Sequence, residues 1–272
     1  MTSSLTDIDR ILTENDRRNE AMYALFNPVT GEGSIGERVK ISISDFAIPF
    51  QWIPVEMMSI PFVSKLVNAG SIERFLSDVL NVEPNQIDHD KVAEKFIRIR
   101  YKNDFPFWAA TLVWIHNKDA GEDVLFRLRY PQRILVSRFE EKRKAGLPIR
   151  IILLKARQWG GSTTTQLYMA WLQFLHKRGL NSLIIAHQGT ASDEIKDMFD
   201  TMIKEYPIDM LYDMGESYNA NDPKIVGVGK SGSTSRVPQR NCKIKIGTAE
   251  RPDGCRGGCY SLVPVSYTHL TL

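Results

Sequence analysis

The sequence predicts an α/β fold with a largely parallel sheet flanked by helices, and three observations carry that expectation. An apolar, β-like run from Ile149 to Leu154 leads into the glycine pair Gly160-Gly161 and then into a helical stretch opening at Ser162. A second apolar run, Asn181 to His187, reads as a buried parallel strand, followed by a helical stretch from Ser192 to Tyr206 that stops at Pro207. A third run, Lys243 to Glu250, alternates with the two-residue period of a strand.

Ahead of this frame lies a less regular region. Met1 to about Asn19 is polar and helix-prone, with Asp7-Ile8-Asp9-Arg10-Ile11-Leu12 amphipathic, and Asn27 to Gly36 has the proline and glycines of a loop. Ile41 to Asp90 mixes apolar patches, including Phe50, Trp52, Ile53, Pro54 and Val55, with a helix from Ser71 to about Leu80. These aromatics read as core rather than as a platform for stacked bases. Phe105-Pro106-Phe107-Trp108 through Ile115 approaches the sheet, and Asn117 to Glu122 is a polar turn. The boundary falls near Ala120, dividing the chain into a small, mostly helical or mixed region (1–120) and a partial α/β domain (121–265).

Inside that domain, Pro131 marks a helix start, with Gln132 in its first turn. Arg138, Lys142, Arg143 and Lys144 read as a solvated helix face ahead of Gly146 and Pro148; salt-sensitive contacts to a phosphate backbone are the other use of such a cluster. Ser231 to Ser235 reads as a surface loop before Arg236 and Arg240. Tyr260 to Val265 is a further apolar strand, in which Pro264 lacks the ladder donor.

The junction Lys155-Ala156-Arg157-Gln158-Trp159-Gly160-Gly161-Ser162-Thr163 stands where phosphate-binding loops occur, between a strand and a helix. Measured against G-x-x-x-x-G-K-[ST], Gly160 and Ser162 fall in place, Lys155 stands at the first glycine and Gly161 where the lysine belongs. The physics tolerates the exchange. Small residues let successive backbone N–H groups converge on phosphate oxygens, and the positive end of the following helix adds to the field. The hydroxyl of Ser162, or of Thr163, is placed to ligate magnesium between the β- and γ-phosphates. The missing cation then comes from Lys155, as the phosphate lysine, or from Arg157, as the charge sensor. The same residues also describe a glycine turn and a helix start capped by Ser162, with no nucleotide involved.

Arg157-Gln158-Trp159-Gly160-Gly161-Ser162-Thr163 resembles the R-Q-x-G-x-[ST]-T form of the Walker A motif in large terminase subunits, the ATP-driven DNA-packaging motors of tailed bacteriophages. Three more segments fit in order. Phe126-Arg127-Leu128-Arg129-Tyr130-Pro131-Gln132 is similar to the family's adenine-side motif, which makes Gln132 the adenine candidate. Asn181 to His187 resembles the second core strand, with His187 at its carboxyl end, and Gly247 to Gly258 resembles the G-x-A-x-x-P-D-x-x-R-G segment, with Arg256 in place. The likeness spans roughly Phe105 to Val265. It implies a P-loop NTPase of ASCE-like type, with ATP and Mg²⁺ as cofactors. Gln158, Gly160, Gly161, Ser162 and Thr163 would lie around the phosphates, and Arg157 and Lys155 would act in phosphoryl transfer. It implies double-stranded DNA, a portal protein and a small terminase subunit as partners, and a homo-oligomeric ring for the intact protein.

The chain departs from the family where the Walker B strand should end in two acidic residues. Ser266 and Tyr267 stand there, and neither ionises usefully at neutral pH. The ending Ser266 to Leu272 reads as a non-native tail of the kind produced by translated adapter sequence, so the expectation is a fragment without the nuclease domain and with little hydrolysis of its own. Other readings are a helicase-like translocase, and a phage structural or DNA-binding protein whose glycine turn only looks like a phosphate loop.

Composition constrains this further. With 43% hydrophobic and 25% charged residues in 272, core size is not limiting, and a formal charge of +3 is too small to identify a nucleic-acid binder. Three cysteines, Cys242, Cys255 and Cys259, lack the paired spacing of a zinc ribbon and read as reduced thiols. No basic-apolar leader or membrane-length apolar run occurs, so the expected location is the cytoplasm of an infected bacterium.

Overall fold

A computed structural model describes residues 3–83, 88–117, 121–154, 159–186, 189–227, 234–250 and 258–265. The region before the sheet opens with α1 (Ser3–Tyr23), then pairs β1 (Arg38–Ser42) with β2 (Phe50–Pro54) antiparallel, from Arg38 opposite Pro54 to Ser42 opposite Phe50. A 3₁₀ turn, Val55–Ser59, leads to α2 (Pro61–Ala69), with proline in its first turn. The helix expected from Ser71 forms as α3 (Ile72–Arg74) with a π-wound continuation, Phe75–Val79. Its start is held twice: Ser71 Oγ accepts from the Arg74 N–H at 3.2 Å, and the Asp45 carboxylate accepts from the Ile72 N–H at 2.8 Å.

Two hydrophobic cores result. The smaller gathers Ile43, Ile53, Met57, Leu66, Phe75 and Phe96; Phe50, expected inside, is 62% exposed and lies beneath the Lys40 ammonium instead. Strand alternation explains this, because Gln51 and Ile53 take the inward positions and Phe50 the outward one. The larger core gathers Phe105, Trp108, Leu167, Trp171, Phe174 and Tyr206. Helix α4 (His89–Asn103) belongs to both, with Val92 and Phe96 in the first and Tyr101 in the second. Between the cores, buried Asp104 accepts from Arg38 at 2.8 Å through both oxygens and from Arg100 at 3.2 Å, and Arg100 also donates to Gln51 at 2.6 Å.

Beyond α5 (Phe105–Leu112), the short hairpin β3 (Trp114–Asn117) and β4 (Glu122–Leu125) leads to α6 (Tyr130–Lys144), with Pro131 in its first turn as its sequence indicates. Helix α7 (Gly161–Trp171) continues π-wound over Leu172–His176, and β5 (Ser182–Ala186) and α8 (Gly189–Glu205) follow. Helix α8 buries Phe199, Met202 and Ile203, and Tyr206 just past its end is buried too, continuing the i, i+3, i+4, i+7 stripe of a helix lying on a sheet. The remaining strands are β6 (Val226–Gly227), β7 (Thr234–Val237) and β8 (Cys242–Thr248).

The sheet is mixed, and only part of it meets the parallel expectation. Its order is β5-β8-β7-β6; β5 and β8 run parallel, from Ser182 opposite Ile244 to Ala186 opposite Thr248, while β8, β7 and β6 are antiparallel neighbours. On the far side of β5, residues 261–265 run parallel but touch it only in isolated bridges, Ser182 to Leu262 and Ile185 to Val265. Pro264 accounts for the gap. Leu183 and Ile185 donate to the carbonyls of Leu262 and Pro264, but the return bond to the Leu183 carbonyl needs an N–H at position 264, which proline lacks.

The strand expected over Ile149 to Leu154 is not formed. These residues are irregular, no described strand pairs with them, and Ile152 is 101% and Leu154 87% exposed. An apolar run becomes a strand only when a neighbour accepts its ladder, and no edge among the described residues of this sheet pairs with it.

Candidate functional site

The glycine turn opens α7. Gly160 is the residue before the helix and takes the left-handed conformation, φ 80° and ψ 18°. A side chain there would be strained by φ alone and would also begin 2.4 Å from Gln132 Nε2. Gly160 therefore caps the helix without a side-chain acceptor, and α7 itself offers no acceptor to the N–H groups of Gly161, Ser162 and Thr163. The Thr164 N–H and hydroxyl both donate to the Gly160 carbonyl at 2.9 Å. The Thr165 hydroxyl likewise folds back to Gly161 at 2.9 Å, and Ser162 and Thr163 are half-buried in the first turn. Ser162 is thus the second helical residue and not the cap that the nucleotide-free reading required.

Gln173, near the far end of the same helix, donates to Ser182 Oγ at 3.3 Å and to the Lys243 carbonyl at 3.4 Å, both at the starts of their strands. These bonds tie the far end of the helix to the starts of β5 and β8.

Gln132 stands beside this turn as its sequence position implies, but its amide is engaged. It is 3% exposed; Oε1 accepts from the Arg129 N–H at 2.7 Å, and Nε2 donates to the Trp159 and Gly160 carbonyls at 3.3 and 3.4 Å. The first bond is half of a capping box at the start of α6; the other two are long and weak, and tie α6 to the turn. Next to it, Arg133 is buried with its guanidinium 4.2 Å from the Phe26 ring centre, and burial lowers its pKa. Trp159 packs on the larger core, with its indole N–H buried and unpaired among the described residues.

The structure brings together Gln132, Gly160, Gly161, Ser162 and Thr163. Lys155, Arg157 and Gln158 lie outside the described residues, as do His187, Arg256, Cys255 and positions 266 and 267. Arg129 is a further cation near the turn that the motif does not single out. It is exposed, has no carboxylate partner among the described residues, and its backbone is bonded to Gln132, three positions before a residue the motif already marked. Among the described residues no group of three His, Cys, Asp or Glu is arranged for a metal ion, Cys242 and Cys259 are free thiols, and no helix is long and apolar enough to cross a membrane.

No protein-family model matches the chain, and no curated protein matches it significantly.

Proposed function

We propose that the chain is the ATP-binding motor portion of a phage large terminase subunit, which in its intact form couples ATP hydrolysis to movement of double-stranded DNA into a procapsid. One observation carries the reading: a left-handed Gly160 opens the N-terminus of α7 directly beside the glutamine of the upstream motif. The N–H groups of Gly161, Ser162 and Thr163 and the positive helix end suit phosphate oxygens. Ser162 would reach the magnesium ion. Lys155 and Arg157, which precede the turn in the sequence, would supply the charge that Gly161 does not. ATP, when bound, supplies the phosphoanhydride whose cleavage powers the motor. If Gln132 reads the adenine edge, it does so by exchanging its two long bonds to the turn.

On this reading the portal protein, a small terminase subunit and neighbouring copies are the partners, and the host cytoplasm is the setting. The engaged amide of Gln132 favours a second reading, a purely structural turn in a phage protein that binds no nucleotide. Calorimetric titration of the chain with ATP, with and without Mg²⁺, separates them. Saturable, magnesium-dependent binding is expected. Absence of binding at millimolar ATP overturns the nucleotide reading.

A further inference from the structure

Helix α1 and the groove between α2 and α4 are complementary in both shape class and charge. On α1, Ile8, Ile11 and Leu12 are 52%, 55% and 55% exposed and lie on one face at helical spacing. Along one flank of that face run Asp9, Asp16 and Glu20, at i, i+7 and i+11, with no basic partner among the described residues. Asp7 and Glu14, off that flank, pair within the helix with Arg10, Arg17 and Arg18. The acidic row is therefore uncompensated, and it lies beside uncovered apolar surface.

The groove has the opposite character. It is an open cleft of about 360 Å³ with Phe62, Phe75 and Val92 in its walls and Lys65, Lys91 and Lys95 at its rim. Lys95 Nζ lies 4.5 Å from the Phe62 ring centre, Lys91 pairs with Asp88 at 2.9 Å, and Lys65 and Lys95 have no carboxylate partner among the described residues. Lys91 and Lys95 are four apart on α4, so their ammonium groups form a row along the groove.

We propose that α1 of one copy seats in the α2–α4 groove of a second copy, its apolar face on the aromatic walls and its acidic row against the lysines. This is the helix-in-groove mode, with charge choosing the orientation. A neighbouring copy is the occupant because the helix's own tether is short: only Ala24 and Leu25 separate Tyr23 from Phe26, which is buried in the larger core, whereas the groove belongs to the smaller one. Two different surfaces meet, so the contact is heterologous and each copy offers one free helix and one free groove. It is independent of nucleotide binding.

The test is sedimentation velocity of the full chain across about 1 to 100 μM, a range that brackets micromolar association. Concentration-dependent association is expected, weakened by salt. Leu12→Asp abolishes it, and reversing either row alone, Asp9→Lys with Asp16→Lys or Lys65→Glu with Lys95→Glu, weakens it at least tenfold. Reversing both rows in one chain restores it. All five positions are on the surface, so folding is preserved. A monomer throughout the range, association indifferent to either reversal, or failure of the double reversal to restore it overturns the proposal.

Discussion

Gln132 Nε2 stands 2.4 Å from where a side chain at Gly160 would begin, so the start of α6 and the turn before α7 share one small volume. Gly160→Ala is expected to cost about 1–2 kcal/mol from the left-handed backbone alone. The clash with Gln132 adds to it. Urea denaturation of Gly160→Ala with and without Gln132→Ala measures the two parts. The double variant should recover only the clash, leaving the backbone cost.

Nucleotide contacts are expected to divide by role. Lys155→Ala and Arg157→Ala each weaken ATP binding roughly tenfold or more, since a charge-assisted hydrogen bond contributes about 1.5–3 kcal/mol. Ser162→Ala should leave binding measurable while removing its dependence on Mg²⁺. Titration of all three variants checks this, and equal affinity in Lys155→Ala, Arg157→Ala and the parent would mean that neither cation meets the phosphates.

Asp104→Asn is expected to be among the most destabilising single changes. Its carboxylate is fully buried between the guanidinium groups of Arg38 and Arg100, whose side chains are 10% and 1% exposed. Removing the shared anion leaves two positive charges facing each other, a loss of roughly 3–5 kcal/mol. Chemical denaturation followed by tryptophan fluorescence measures it.

His176 gives stability an acid limb. Burial, with Arg143 and Lys102 nearby, holds its pKa down at about 3, and the ring packs edge-on against Trp171 at 4.3 Å. The neutral ring is the folded form. Stability from this group is therefore complete above the unfolded value near 6.5 and is lost as pH falls from there toward 3, at up to about 1.4 kcal/mol per pH unit. His176→Phe should flatten that part of the profile, as thermal melts between pH 4 and pH 7 will show.

Local patterns were readable where one segment decides its own structure. The α8 stripe, Pro131 at the start of α6, Ser71 at the start of α3 and the glycine turn all follow from spacing and capping chemistry. What depended on distant partners was not. The alternation of residues 243–250 marks a strand but is silent on direction, so the antiparallel β6-β7-β8 half of the sheet was not foreseen. Ile149 to Leu154 has the composition of a buried strand but no strand to pair with among the described residues. Arg38 and Asp104 are far apart in sequence, and nothing local marks either as half of an ion pair. At the turn, Gln132 was recognised from its motif, yet only the geometry showed that its amide already holds the loop.

That unpaired run, Ile149-Arg150-Ile151-Ile152-Leu153-Leu154, has a practical consequence. Six residues rich in branched aliphatics, with one charge and no proline, match the composition that stacks into cross-β fibrils. In concentrated preparations, fibril nucleation should begin there, and a lysine or glutamate at Ile152, whose side chain touches solvent on every side, should suppress it without disturbing either core.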